Sequence, residues 1–195
     1  MKALLHLAAI TALSLTTTAL TTTAANAVVL GFDDITSGFT FTNVPTNYAG
    51  LNWQNFAVVH KDMYRGTGYE HGAVSGAYTA YNGSGYASTI SALEDTFSFD
   101  GAWFTSAWLE TNTLTIEGFV DDDDIADYTF SVVLSKTSPL FVDVSWSGLQ
   151  RLRFSSNNNP FAMDNLRINE VPEPLTLGLV GMGLLGIAGA RRRKS

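Results

Sequence analysis

Several groups of side chains in this 195-residue chain have the types and spacing to do chemistry. Asp33-Asp34 and Asp164-Asn165 offer hard oxygen ligands from opposite ends of the sequence. Brought together, they would supply part of the about six to eight oxygens that Ca²⁺ takes, so a structural Ca²⁺ is the one candidate cofactor. Left apart, the same residues cap turns. Tyr64, Tyr69, Tyr78, Tyr81 and Tyr86 crowd one stretch with glycine and asparagine. Aromatic faces stack on sugar rings and amide side chains bind hydroxyls, so these tyrosines are the candidate ligand-binding set of a lectin-like groove. Their other use is to pack a loop onto a sheet. Asp121 to Asp124 are consecutive and lack the alternating spacing of an EF-hand loop, which makes them a solvated, self-repelling tip. His60 and His71 match no ligand motif, no G-x-S-x-G elbow occurs, and nothing singles out two carboxylates for glycoside hydrolysis. No catalytic residue is assigned, and the chain is expected to be no enzyme.

Positioning these residues falls to strands. Phe39 and Phe41 alternate with Thr40 and Thr42, and Leu51–Val59 carries Trp53, Phe56, Val58 and Val59 as one core strand. Met63–Gly76 has no period and reads as a long loop, followed by a short strand at Tyr78–Tyr81 and a turn at Asn82–Gly85. Thr96–Phe99 alternates, Asp100-Gly101 marks a turn, and Ala102–Glu110 resumes with Trp103 and Leu109 on one face. Leu114, Ile116 and Val120 face inward from Thr113–Val120. Tyr128, Phe130, Val132 and Leu134 share a face, as do Leu140, Val142, Val144 and Trp146. In Phe161–Asn169 the set Met163, Asn165, Arg167 and Asn169 opposes Ala162, Asp164, Leu166 and Ile168. Period-two alternation buries one face of an antiparallel sheet and wets the other. Ten or twelve such strands imply an all-β, jelly-roll-like β-sandwich with its first and last strands close together; an immunoglobulin-like sandwich is the alternative.

The two ends read differently from this body. Lys2, an apolar stretch from Ala3 to Leu20 and Ala25-Asn26-Ala27 form a signal peptide over residues 1–27, cut by signal peptidase before Val28. Val171-Pro172-Glu173-Pro174 precedes an uncharged run, Leu175–Ala190, and then Arg191, Arg192, Arg193 and Lys194. The run spans about 24 Å as a helix, short for a bilayer core of roughly 30 Å, and the cationic end stays cytoplasmic. Residues 175–190 are therefore a candidate transmembrane helix with 191–194 as its basic tail, and residues 28–170 are left as one domain.

Setting aside Glu173 leaves 17 of the 18 acidic residues in residues 28–170, and setting aside Lys2, Arg191–Arg193 and Lys194 leaves 6 of the 11 basic ones. So acidic a body has no nucleic acid or anionic membrane as a partner. Cysteine is absent, so packing alone, with or without a metal, must hold the fold.

The order Val171-Pro172-Glu173-Pro174, Gly-rich apolar run, Arg191-Arg192-Arg193 at the terminus resembles the PEP-CTERM sorting signal. The resemblance implies export by a Gram-negative bacterium that makes extracellular polysaccharide, with recognition and processing of the tail by exosortase. It also implies transient anchoring in the inner membrane and delivery to the cell envelope, surface or medium. Asn47–Trp53, Ser75–Asn82 and Phe161–Leu166 look like the β-sandwich body common in PEP-CTERM proteins. They are more loosely similar to galactose-binding-like and carbohydrate-binding jelly rolls. The expected function is a cell-surface or matrix protein sorted through its tail, its alternative a carbohydrate-binding module acting on exopolysaccharide.

Overall fold

The computed structural model describes residues 27–170. Of the signal peptide expected over residues 1–27, the part up to Asn26 lies outside the described residues, as do the expected sorting residues Val171, Pro172, Glu173 and Pro174, the apolar run 175–190 and Arg191, Arg192 and Arg193. Among those described, twelve strands form two antiparallel sheets that close on one core.

The strands are β1 (Ala27–Leu30), β2 (Phe41–Asn43), β3 (Leu51–Gln54), β4 (Phe56–His60), β5 (Tyr78–Asn82) and β6 (Ser88–Ala92). They continue as β7 (Phe97–Ser106), β8 (Thr111–Phe119), β9 (Tyr128–Ser135), β10 (Leu140–Leu149), β11 (Arg151–Ser155) and β12 (Phe161–Glu170). One sheet runs β10-β7-β12-β5-β4-β2, with β1 added to β12, and the other runs β3-β6-β11-β8-β9. The first and last strands do lie side by side: Ala27 opposes Asn169 and Leu30 opposes Leu166.

Where alternation is unbroken, the structure follows it. Leu114 and Ile116 of β8, Leu152 and Phe154 of β11 and Ile90 of β6 are fully buried. Phe154 meets the rings of Phe56, Phe99, Phe104 and Phe161 at 5.7–6.2 Å between centroids. Four strands thus meet at one aromatic cluster that joins the sheets, and aromatic pairs at such spacings add to the burial energy of the rings.

Four expectations are corrected, each where the backbone leaves the regular pleat. Leu51–Val59 is two strands in opposite sheets, because Asn55 sits at φ 58° and turns the chain there. Its Nδ2 donates to the carbonyls of Gly83 and Ala87 at 3.1 Å, and asparagine tolerates this left-handed conformation. Asp100-Gly101 is no turn. β7 runs through it, and Gly101 at φ 149° lies so near Val142 that a Cβ would stand 2.0 Å from that carbonyl oxygen. Trp103 therefore points outward while Ala102 and Phe104 enter the core. In β12 the register shifts after Asp164, with Asn165 at φ 49°, so Met163, Leu166 and Ile168 all face inward. A bulge adds one residue and reverses the faces beyond it. The fourth correction is the long loop. Lys61–Tyr64 is a 3₁₀ turn and Gly68–Gly72 a short helix, α1, both on the outer face of the larger sheet.

Candidate functional site

Two glycines let α1 lie flat on that sheet. A Cβ on Gly68 would come within 1.8 Å of the Ser106 carbonyl oxygen, and one on Gly72 within 2.5 Å of Thr105 Oγ1. The space they leave is used by hydrogen bonds: Gly68 N–H donates to the Ala107 carbonyl at 2.9 Å, and Thr105 Oγ1 donates to the Gly68 carbonyl at 2.7 Å. Beneath α1, Val59, Tyr69, Ala107 and Ala162 form a second apolar cluster, separate from the main core.

This docking assembles an aromatic group. Tyr64 from the 3₁₀ turn, Tyr69 from α1, Tyr81 from β5 and Trp108 from the β7–β8 loop meet edge to face or tilted. Tyr64–Trp108 is 5.2 Å between centroids, Tyr69–Trp108 5.3 Å, Tyr69–Tyr81 5.4 Å and Tyr64–Tyr69 5.6 Å. Tyr69 is the buried floor at 4% exposure, whereas Tyr64 and Trp108 are 39% and 46% exposed. Burial holds the Tyr69 and Tyr81 hydroxyls above the usual phenol range, followed by the neighbouring phenol of Tyr81 for Tyr69 and of Tyr64 for Tyr81. Both stay neutral donors at ordinary pH. Two exposed aromatic faces at 76° to each other, backed by phenol hydroxyls, can stack on the apolar face of a sugar ring and bind its hydroxyls.

The structure thus joins three of the five singled-out tyrosines. Tyr78 instead packs its ring against His60 at 5.2 Å and donates its hydroxyl to the Gly38 carbonyl. Tyr86 is exposed and, among the described residues, makes no ring contact with the group. Trp108 is the member that sequence reasoning missed. Its signal was hidden because Ala102–Glu110 reads as one strand, whereas β7 ends at Ser106 and leaves Trp108 in the loop before β8.

The acidic set divides as well. Asp33 Oδ1 accepts from Ala77 N–H at 2.7 Å, and Asp164 Oδ2 accepts from Ser75 N–H at 2.8 Å. Ser75 Oγ donates to Asn165 Oδ1 at 2.8 Å. Asp33, Asp164 and Asn165 therefore gather around Ser75 and tie residues 75–77 to β12. Asp34 turns elsewhere and accepts from the Tyr48 hydroxyl at 2.7 Å. Among the described residues no three His, Cys, Asp or Glu side chains stand together as a metal-holding group.

Asp164 is fully buried, and its carboxyl is pushed up to about 6, first by burial and against the pull of the Ser75 and Asn165 N–H groups. An acid raised in the folded state stabilises it most below its unfolded value, and loses that contribution as pH climbs through the folded one. Lowering the pH from about 7 to about 4 should thus add up to about 3 kcal/mol through Asp164. Urea unfolding at both pH values checks this: wild type should gain more on acidification than Asp164→Asn, and equal gains would contradict it.

Asp121–Asp124 form the exposed tip of the β8–β9 hairpin, where Arg151 reaches Asp124 Oδ1 at 3.1 Å. Beside it an open depression of about 380 Å³ is lined by Glu94, Asp95, Asp121 and Asp122 with Gln150 and Arg151. Arg151 and Arg153 cover the ring of Phe119 at 4.0 and 5.0 Å, so Phe119 is buried on the outer face rather than wetted.

Fold and site together define an all-β sandwich domain with an aromatic patch on one outer sheet face. The PEP-CTERM protein-sorting motif matches residues 170–194. The chain thus carries a PEP-CTERM sorting motif, which marks it as exported and processed by exosortase. No curated protein matches the sequence. Among solved structures, TmCBM61 in complex with β-1,4-galactotriose is 10% identical, with 63% of this chain and 90% of that one covered and a TM-score of 0.32. A family 29 carbohydrate-binding module is 15% identical, with 75% and 93% covered and a TM-score of 0.37. The K1 cleaved adhesin domain of Lys-gingipain from Porphyromonas gingivalis is 9% identical, with 66% and 97% covered and a TM-score of 0.37.

Proposed function

We propose that this protein is a component of the cell surface or extracellular polysaccharide matrix whose jelly-roll-like domain holds polysaccharide on the Trp108–Tyr64 patch. The observation that carries this reading is the pair of exposed rings set at 76° to each other on a buried tyrosine floor. The docking of α1 packs both rings against Tyr69 and leaves them 39% and 46% exposed. The domain acts by binding and not by turnover. Signal peptidase frees Val28, the apolar run 175–190 anchors the chain in the inner membrane, and exosortase acts near Pro172-Glu173-Pro174.

A glycan array probed with the mature protein tests the binding. Binding to at least one polysaccharide class is expected, lowered at least about tenfold by Trp108→Ala, in line with the loss of an aromatic contact and its buried area. An array without hits, or hits indifferent to Trp108→Ala, would overturn it.

A structural Ca²⁺ at Asp33, Asp164 and Asn165 remains part of the proposal, with its other ligands drawn from backbone carbonyls or water. Ca²⁺ should then raise the melting temperature and chelator reverse it; an unchanged midpoint removes the ion.

A further inference from the structure

Sheet edges are where one chain can pair with another, and four edges of this sandwich are guarded. β1, β2 and β3 are only four, three and four residues long. β10 is broken by two register shifts, carries Ser145 at φ 49° and exposes Asp143. Shortness, bulges and charge are the usual means of keeping an edge from recruiting strands.

β9 has none of them. It ends the five-stranded sheet, and it pairs with β8 over eight successive residues without a register shift. Its sequence, Tyr-Thr-Phe-Ser-Val-Val-Leu-Ser, contains no charge, proline or glycine. Tyr128, Phe130 and Val132 face the core yet are only partly buried, and Val133 on the outer face is 62% exposed. Uncharged, unbroken in register and rich in β-branched and aromatic residues, this strand is suited to backbone pairing.

We propose that β9 pairs antiparallel with β9 of a second copy of this chain, making one continuous sheet across two sandwiches. Charge sets the direction. β9 itself is neutral, so pairing two copies along it opposes no like charges within the strands. Asp127 precedes the strand and Lys136 follows it, so only the antiparallel arrangement sets Asp127 of each copy near Lys136 of the other. Lys136 is ion-paired to Glu110 of its own chain, which leaves that end neutral rather than acidic. Antiparallel pairing also opposes residues of one face, so Phe130 and Val132 meet their own kind and lose their remaining exposure.

Sedimentation of the mature protein over a concentration series tests this. A reversible dimer is expected, weakened at least roughly tenfold by Val133→Lys, which puts a charge on the otherwise uncharged edge of each copy. Ile125→Lys, at a position 75% exposed outside the strand, should leave it unchanged. Because the chain has no cysteine, a spin label on Ser131→Cys reports the contact alone. Label pairs within about 20 Å are expected for strands roughly 4.8 Å apart. A monomer at every concentration, a dimer indifferent to Val133→Lys, or labels farther apart would overturn the proposal.

Discussion

Replacing Phe154 by alanine should lower the unfolding free energy by about 3–5 kcal/mol, the usual cost of emptying a buried phenylalanine site. Phe154 is fully buried and touches Phe56, Phe99, Phe104 and Phe161, which come from β4, β7 and β12 of the opposite sheet. Rigid strands prevent those four rings from collapsing into the void, so the loss includes the cavity as well as the transfer of the ring. Without disulfides, the chain has no covalent reserve against this. For a domain with the usual stability of about 5–15 kcal/mol, the loss is a large fraction of the total. Urea unfolding measures it. A change under about 1 kcal/mol would mean that the sheets are held together elsewhere, because surface substitutions commonly stay within about 0.5 kcal/mol.

The second large effect lies in the tail. Pro172→Ala, Glu173→Ala and Pro174→Ala together should stop processing, so the variant accumulates in the membrane fraction with its tail attached. The three residues lie within the sorting motif at residues 170–194. Proline fixes φ and lacks a backbone N–H, so a Pro-x-Pro sequence favours an extended shape without donors that three alanines do not favour. With residues 175–190 anchored as proposed above, an unprocessed chain would stay in the bilayer and its cationic end would prevent passage. Intact-mass analysis reads both ends at once. Wild type should begin at Val28 and lack the basic residues, and the variant should begin at Val28 and retain them. Identical masses at the C-terminal end would remove the sorting role of these residues.

How far each feature was legible depends on the backbone around it. In β8, β9 and β11 an unbroken pleat lets alternation identify the core, as at Leu114, Ile116, Leu152 and Phe154. Alternation fails where one residue leaves the pleat: Asn55, Gly101 and Asn165 each take positive φ, and each reassigns the faces or the sheet beyond it. A single asparagine or glycine is an ordinary loop residue in sequence, and only the strands it must connect determine its role. The meeting of Asp33 with Asp164 and Asn165 was legible because the two end strands pair. The departure of Asp34 toward Tyr48 was not, because a side-chain rotamer decided it. The aromatic group was half legible. Crowding of tyrosines near Gly66, Gly68 and Gly72 marked the segment, but Trp108 is nearly forty residues further on and joins only because Gly68 lets α1 reach the β7–β8 loop.

Polysaccharide retention by the aromatic patch is tested most directly by co-sedimenting the mature protein with exopolysaccharide purified from its own host. Wild type should partition with the polymer, Trp108→Ala combined with Tyr64→Ala should stay in solution, and Tyr86→Ala should behave as wild type, since that ring lies outside the group. Wild type that stays in solution, or a double variant that still partitions, would contradict the assignment of the site.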